Sequence, residues 1–363
     1  MTIHTIQLPD MKKTILTLTL LILAVSLVTA QKKITNLPDL PGYVTLKCDF
    51  HLHTVFSDGQ VWPLNRVDEA IRDGLDAISI TDHLEYTPKK DFIPVDHNAA
   101  WKLCEAYAQE RNLILVHGTE ITRKMPPGHF NALFIKDANL IAKDSVWDNF
   151  EEVIKQGGFL QWNHPGWKAQ EPDGIPKLYD MHKRLIKNGW LHGIELYNDA
   201  SHYPLVFSFC EENNITLIGN SDVHGIISER YKEPEHRPMT LVFAKERSHD
   251  SLKEAMFAGR TMVYFGEKLA GREEFAKPFF YQCVAVRKPY YQNDKTIFFE
   301  VTNKSDVPFY LVNGVKDAPA AITLEANSVT RVAVSKKVTS PLVYDVNNVI
   351  TGEKKILQIE LKY

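Results

Sequence analysis

The chain has 363 residues, 44% hydrophobic, 24% charged and 10% aromatic, a composition suited to a globular protein with one large and one small domain. Its formal net charge is only -3, which removes any broad electrostatic case for nucleic acid or an acidic membrane surface as the main partner. Anion binding, where it occurs, must be local.

Lys12 and Lys13 follow Met11, an apolar run extends from Ile15 to Val28, and the small-residue pattern Val28-Thr29-Ala30 precedes Gln31. This is the pattern of an export signal at residues 1–30, cleaved after Ala30, and it predicts a periplasmic or secreted protein. Translation starts at Met11, or the first ten residues extend the signal. The run is shorter than the roughly 18 apolar residues of a spanning helix and is interrupted by Thr17, Thr19 and Ser26, so no stable membrane insertion is expected after cleavage. No cysteine sits at the cleavage point to carry a lipid. Cys48, Cys104, Cys210 and Cys283 are widely spaced without a CxxC pair and read as small buried hydrophobes rather than disulfides.

From residue 44 to about 265 strands alternate with helices. Strands are expected at 44–50, 76–80, 113–116, 130–135, 159–162, 193–196 and 216–219, and helices at 64–74, 98–110, 147–155, 178–187 and 205–212. Repeated βα units imply a mostly parallel sheet, and polar residues following strand after strand favour its closure into a barrel. The barrel domain is assigned to residues 31–268. After Gly271-Arg272-Glu273-Glu274, read as a linker, residues 275–363 show short alternating strands at 279–286, 296–301, 309–312, 329–334 and 356–362, the pattern of a small β-sandwich. No catalytic constellation falls in that tail.

Histidines and carboxylates close the barrel strands in the order His51, His53, Asp58, His83, Glu120, His129, His164, Asp222, His224. A barrel assembles a polynuclear metal site from such strand ends, and hydrolysis is the chemistry it serves. Residues two apart on a strand share a face, so His51 and His53 can grip one cation. Asp58, in the turn Ser57-Asp58-Gly59, offers a hard oxygen ligand or else caps a turn. The apolar strand Ile78-Ser79-Ile80 ends in Thr81-Asp82-His83.

The motifs HLHTVFSDG at 51–59, TDH at 81–83, HGTE at 117–120, NHPG at 163–166 and SDVH at 221–224 together resemble the PHP (polymerase and histidinol phosphatase) superfamily, in order over the barrel region. The resemblance implies a distorted seven-stranded (β/α) barrel holding three divalent ions, zinc, manganese or iron. It implies a first ion on His51, His53, Glu120 and Asp222, with Glu120 bridging to a second on His129 and His164. A third would take Asp58, His83 and His224. Some members place a histidine where Asp58 stands, and an oxygen ligand there tolerates harder cations. The stretches 236–244 and 258–261, with the β-rich tail, look similar to exported members grouped with the Sb-PDE type phosphodiesterases.

The function implied is hydrolysis of a small phosphodiester, or a monoester, by a metal-bridged hydroxide, with Glu120 and Asp222 at its centre. Arg123, Arg230, Arg237 and Arg260 are candidate phosphate contacts. Surface ion pairing competes for Arg123 and Arg260, whereas Arg230 and Arg237 lie in the loop expected over the pocket and are assigned to substrate binding. His236, in the same loop, is the candidate acid for the leaving group. Trp62 and Trp167 can wall the pocket, Trp162 reads as core, His117 as a residue that faces away from Glu120's neighbours or orients a ligand, and Glu195 and Asn198 as outer support or substrate rim. His97, His182, His192, His202 and His249 read as surface or packing residues. Two alternatives stand beside this reading: an amidohydrolase-like cleavage of C–N or ester bonds, and a non-catalytic metal-binding scaffold. Oligomeric state has no signal in the sequence.

Overall fold

The computed structural model describes residues 35–232 and 234–363, so the export signal expected at 1–30 lies outside the described residues. Among the described residues no helix is long and apolar enough to cross a membrane. In chain order the barrel region runs β1 (Val44–Leu52), α1 (Pro63–Arg72), β2 (Ala77–Ile80), α2 (Ala99–Glu110), β3 (Ile114–Thr122), β4 (His129–Leu133), α3 (Val146–Lys155), β5 (Phe159–Trp162), α4 (Asp180–Lys187), β6 (Gly193–Asn198), β7 (Ser201–His202), α5 (Val206–Asn213), β8 (Thr216–Asn220), α6 (Ile227–Arg230), β9 (Met239–Ala244), α7 (His249–Phe257) and β10 (Thr261–Phe265). β1–β2–β3 and β5–β6–β8 are parallel ladders, and β4 lies antiparallel between β3 and β5. The result is the expected distorted α/β barrel, with β4 reversed because β3 and β4 are joined by the loop 123–128 without a crossover helix, and β9 also antiparallel to its neighbours β1 and β10.

The ring closes where β8 meets β9 and β10. Thr240 Oγ1 accepts from the Gly219 N–H and donates to its carbonyl, and Thr261 Oγ1 donates to Leu217 O. The approach is so close that a Cβ on Gly219 would sit 2.1 Å from Val263 Cγ1, which restricts the position to glycine. Further along, the His53 N–H donates to Val223 O, so the ends of β1 and β8 are stitched side by side. This brings two sequence motifs about 170 residues apart to one rim.

Beyond the barrel come β11 (Lys268–Gly271), α8 (Glu273–Cys283), β12 (Val284–Val286), β13 (Tyr291–Gln292), β14 (Thr296–Asn303), β15 (Phe309–Val312), β16 (Ile322–Leu324), β17 (Ser328–Ser335), β18 (Leu342–Gly352) and β19 (Lys355–Leu361). β12, β13, β14 and β17 form one sheet and β15, β16, β18 and β19 the other, a sandwich as expected. Two expectations are corrected. Residues 279–283 are helical rather than extended: Ala276, Phe279, Phe280 and Cys283 are buried at helical spacing, with Glu273 and Glu274 favourably placed in the first turn, and Pro278 inside the helix hides the period. Gly271 is no linker either, because it ends β11, which pairs with β10 on one side and with β18 of the tail on the other. Barrel and tail therefore share a sheet and an apolar core in which Phe243, Phe279, Phe280, Phe309 and Val349 take part. Each large side chain fully buried there contributes roughly 1.5–3 kcal/mol.

Candidate metal centre

The polar cluster sits at the carboxyl ends of the parallel strands. β1 delivers His51, and His53 follows it directly. Gly59 packs against the His53–Thr54 peptide so tightly that a Cβ would lie 2.5 Å from it, and this folds the turn back to present Asp58. Asp82 clamps the same turn, accepting from Thr54 N–H, Thr54 Oγ1 and Ser57 Oγ at 2.6–2.7 Å. His83 and His224 face Asp58 Oδ1 at 3.4 and 3.3 Å. Glu120, near the end of β3, points into the middle: its Oε2 lies 2.7 Å from His83 Nδ1 and its Oε1 2.9 Å from His129 Nδ1. Asp222 Oδ1 is 3.2 Å from His51 Nε2 and 3.0 Å from His53 Nε2. His164 and Asp222 both occupy left-handed backbone, at φ 27° and 52°, a strained conformation that non-glycine residues keep where the surroundings enforce it.

All nine expected side chains are brought together. Their ligand atoms fall into four overlapping sets, each within 4.8 Å: His53, Asp58, His83 and His224; His51, His53 and Glu120; His51, His164 and Asp222; Glu120, His129 and His164. His51 Nε2, both ring nitrogens of His53, Glu120 Oε2 and Asp222 Oδ1 are buried without a hydrogen-bond partner. Buried polar atoms in that state are costly, and five of them converging on one volume with imidazole and carboxylate donors fit divalent cations.

The electrostatics agree. Burial opposes ionisation of Glu120 and Asp222, yet the surrounding imidazoles, led by His83 for the first and His51 for the second, hold both carboxyls well below the usual range. Against its own burial, His51 is raised well above its ordinary value by Asp222, Glu195 and Glu120. His83, opposed by burial but facing Glu120 and Asp58, rises to about 10. His53 goes down to about 3, through burial and the neighbouring His83 and His224. The carboxylates are thus ionised and ready for cations, whose entry displaces protons from the histidines.

Arg66 and Asn163 are given no role by the sequence reading, yet both support the cluster. Arg66 of α1 is buried and donates to the carbonyls of His53, Val223 and Gly225, tying the β1 end to the loop after β8. Asn163 Nδ2 donates to Glu120 Oε1. Glu195, expected as outer support or rim, is fully buried: its Oε1 faces His51 Nδ1 at 2.9 Å, which turns Nε2 toward the cluster, and its Oε2 accepts the His164 N–H. Asn198 bridges Glu195 and Asp222.

Other assignments are corrected. Arg237 is fully buried and spent on Asp73 and Asp49, and Asp49 in turn accepts from Ser221, so this arginine is a structural tie that does not line the metal cavity. His236 lies against the carbonyls of Arg237 and Gly266 and stacks on Tyr264 at 4.0 Å, outside the cluster's cavity. Of the two readings of His117, the structure matches the one in which it faces away from the ligands, stacked on Trp101 at 4.3 Å. Arg123 pairs with Glu85, Arg260 with Glu254, and Arg230 with Asp199 on the rim. Trp167 lines the cavity and packs on His129 and His164, Trp162 is core, and Trp62 lies against Phe56 away from the cavity lining. The four cysteines are buried and free.

With that geometry in hand, comparison with known proteins decides the family. Residues 49–238 match the PHP domain, a stretch that contains every one of the nine converging side chains. The chain belongs to the PHP family. Residues 284–362 match an Ig-like domain. The crystal structure of a two-domain protein from Bacteroides vulgatus, described as containing a predicted PHP-like metal-dependent phosphoesterase, is 41% identical with a TM-score of 0.88, spanning 92% of this chain and 99% of that one. The uncharacterized protein MJ1295 of Methanocaldococcus jannaschii is 35% identical over a region covering 44% of this chain and 83% of its own. PHP membership and the histidine–carboxylate cluster together support a metal-dependent hydrolase.

Proposed function

We propose that this PHP protein is an exported phosphodiesterase that hydrolyses a small phosphodiester at a centre of three divalent ions. The observation that carries the reading is the set of five buried ligand atoms that make no hydrogen bond, on His51, His53, Glu120 and Asp222, beside a cavity of about 490 Å³. Ions bound there supply Lewis acidity and a lowered water pKa. His51, His53, Glu120 and Asp222 would hold the first, Glu120, His129 and His164 the second, and Asp58, His83 and His224 the third. Glu195 fixes the His51 ring, Asn163 and Asn198 fix the Glu120 and Asp222 carboxylates, and Trp167 shields His129 and His164 from bulk water. In the reaction an oxygen of water bonds to phosphorus, the bond to the leaving alcohol breaks, and that alcohol takes up a proton.

The test is a panel of phosphodiesters, monoesters, amides and lactones offered to the metal-loaded protein with and without a chelator. Diester turnover abolished by the chelator is expected; amide or lactone turnover without ester turnover would favour the amidohydrolase-like alternative. Export is tested separately by N-terminal sequencing of the native protein, which should begin at Gln31.

A further inference from the structure

The wall of the metal cavity carries a charge pattern that hydrolysis at the metal centre does not use. Among the described residues lining it there is no lysine or arginine. Its outer wall is made by Asn198, Asp199, Ser201 and Tyr203, in and just after the β6–β7 hairpin, with Tyr86 and Trp167 at the mouth. Asp199 is a carboxylate outside all four ligand sets, and its charge is paired with Arg230 rather than with the cluster. Left-handed backbone at φ 52° sets its position. Arg230, the nearby guanidinium, is forked onto it, Nε to Oδ1 and an η-nitrogen to Oδ2, both at 2.6 Å, and the Tyr231 hydroxyl donates to Oδ1 at 3.2 Å.

We infer that Asp199 is a specificity-determining residue that selects singly charged phosphodiesters over doubly charged monoesters, by presenting a carboxylate to the cavity and by holding Arg230 out of it. The inference rests on the phosphoesterase reading. Cations at the centre attract both kinds of ester; what separates them is one extra negative charge on the monoester, so a wall that holds its guanidinium away and shows a carboxylate disfavours the monoester more than the diester. The monoester released from a diester meets the same repulsion, so it leaves rather than undergoing a second cleavage.

The test compares the metal-loaded wild type with Asp199→Asn, a near-isosteric change to a residue that tolerates left-handed backbone. Metal content is measured in both. Calorimetry reads the binding of inorganic phosphate, above its second ionisation, and of dimethyl phosphate; kcat/KM is read on p-nitrophenyl phosphate and methyl p-nitrophenyl phosphate. The phosphate-to-dimethyl-phosphate affinity ratio and the monoester-to-diester rate ratio should each rise about tenfold, the scale of one unit charge across a protein surface site. Unchanged or lower ratios at equal metal content overturn the inference. Arg230→Gln, which keeps the carboxylate, should leave the ratios equal or lower; a rise matching that of Asp199→Asn also overturns it. A metal-loaded wild type that neither binds these anions nor cleaves either ester overturns the phosphoesterase reading and this inference with it, whereas diester cleavage with unchanged ratios in the variant overturns the inference alone.

Discussion

The barrel and the tail both bury polar side chains, but they treat them differently. In the tail, Asn303 donates to the carbonyls of Val307, Leu324 and Glu325, and Asn348 to those of Glu267 and Pro308, so these interior amides are consumed in holding loops to strands. At the barrel's rim, His51, His53, Glu120 and Asp222 keep buried atoms that face one another at ion-pair distances without forming a hydrogen bond. Satisfied polar groups specify a fold; unsatisfied ones stored in a rigid frame mark where a ligand completes the structure. Thr351 Oγ1 in the tail and Trp162 Nε1 in the barrel core are also unpaired, but singly; what distinguishes the site is that five such atoms converge on one volume.

Substitutions can break that contrast. The largest effect is expected for Glu120→Gln, which keeps the side-chain volume and removes the charge facing His83 and His129. Activity should fall by at least about a hundredfold, the scale of losing a principal electrostatic element, with metal content falling and the circular dichroism spectrum unchanged. Glu195→Gln sharpens the distinction between ligand and support: it weakens the acceptor at His51 Nδ1, and metal affinity measured by competition with a chelator should drop about ten- to a hundredfold. Retained affinity would make Glu195 a packing residue.

The tail should respond in the opposite sense. Phe279→Ala empties a fully buried site against Phe243 in the shared core and should cost about 3–5 kcal/mol in denaturant unfolding, while metal bound per folded chain stays the same. The smallest effect concerns acid stability. His182 is held neutral between Pro127 O and the Tyr179 N–H, and burial pushes its pKa down from 6.5 to about 4. Between those values the unfolded chain binds the proton and the folded chain does not, so this contribution is complete above pH 6.5 and is lost as pH falls toward 4. His182→Gln should flatten the stability profile in that window, measured by unfolding at a series of pH values.

Most of the barrel and all nine converging side chains are legible in the sequence, because several parallel strands are apolar runs followed by chemically distinctive residues; His129 instead opens the antiparallel β4 and Asp58 sits in a turn. Legibility fails where tertiary context decides. β3 continues through Thr122, yet His117-Gly118-Thr119-Glu120 looks like a loop, since at that end the inner face of the strand meets the metal cluster instead of apolar core. Pro278 and a run of aromatics disguise α8 as a strand. The position of Arg237 and His236 in the loop after His224 points them at the pocket, and nothing local announces that Asp49 and Asp73 capture the arginine. Arg66 and Asn163 escape a sequence reading because their partners are backbone carbonyls and a carboxylate far away in the chain.

The central claim is that the unsatisfied rim of this PHP barrel is a polynuclear metal centre. Anomalous diffraction from crystals of the purified, metal-loaded protein, with elemental analysis of the same sample, tests it most directly. The account predicts more than one ion per chain, with peaks inside the ligand sets around Glu120 and Asp58; a cluster without peaks, or ions bound only elsewhere on the molecule, would contradict it.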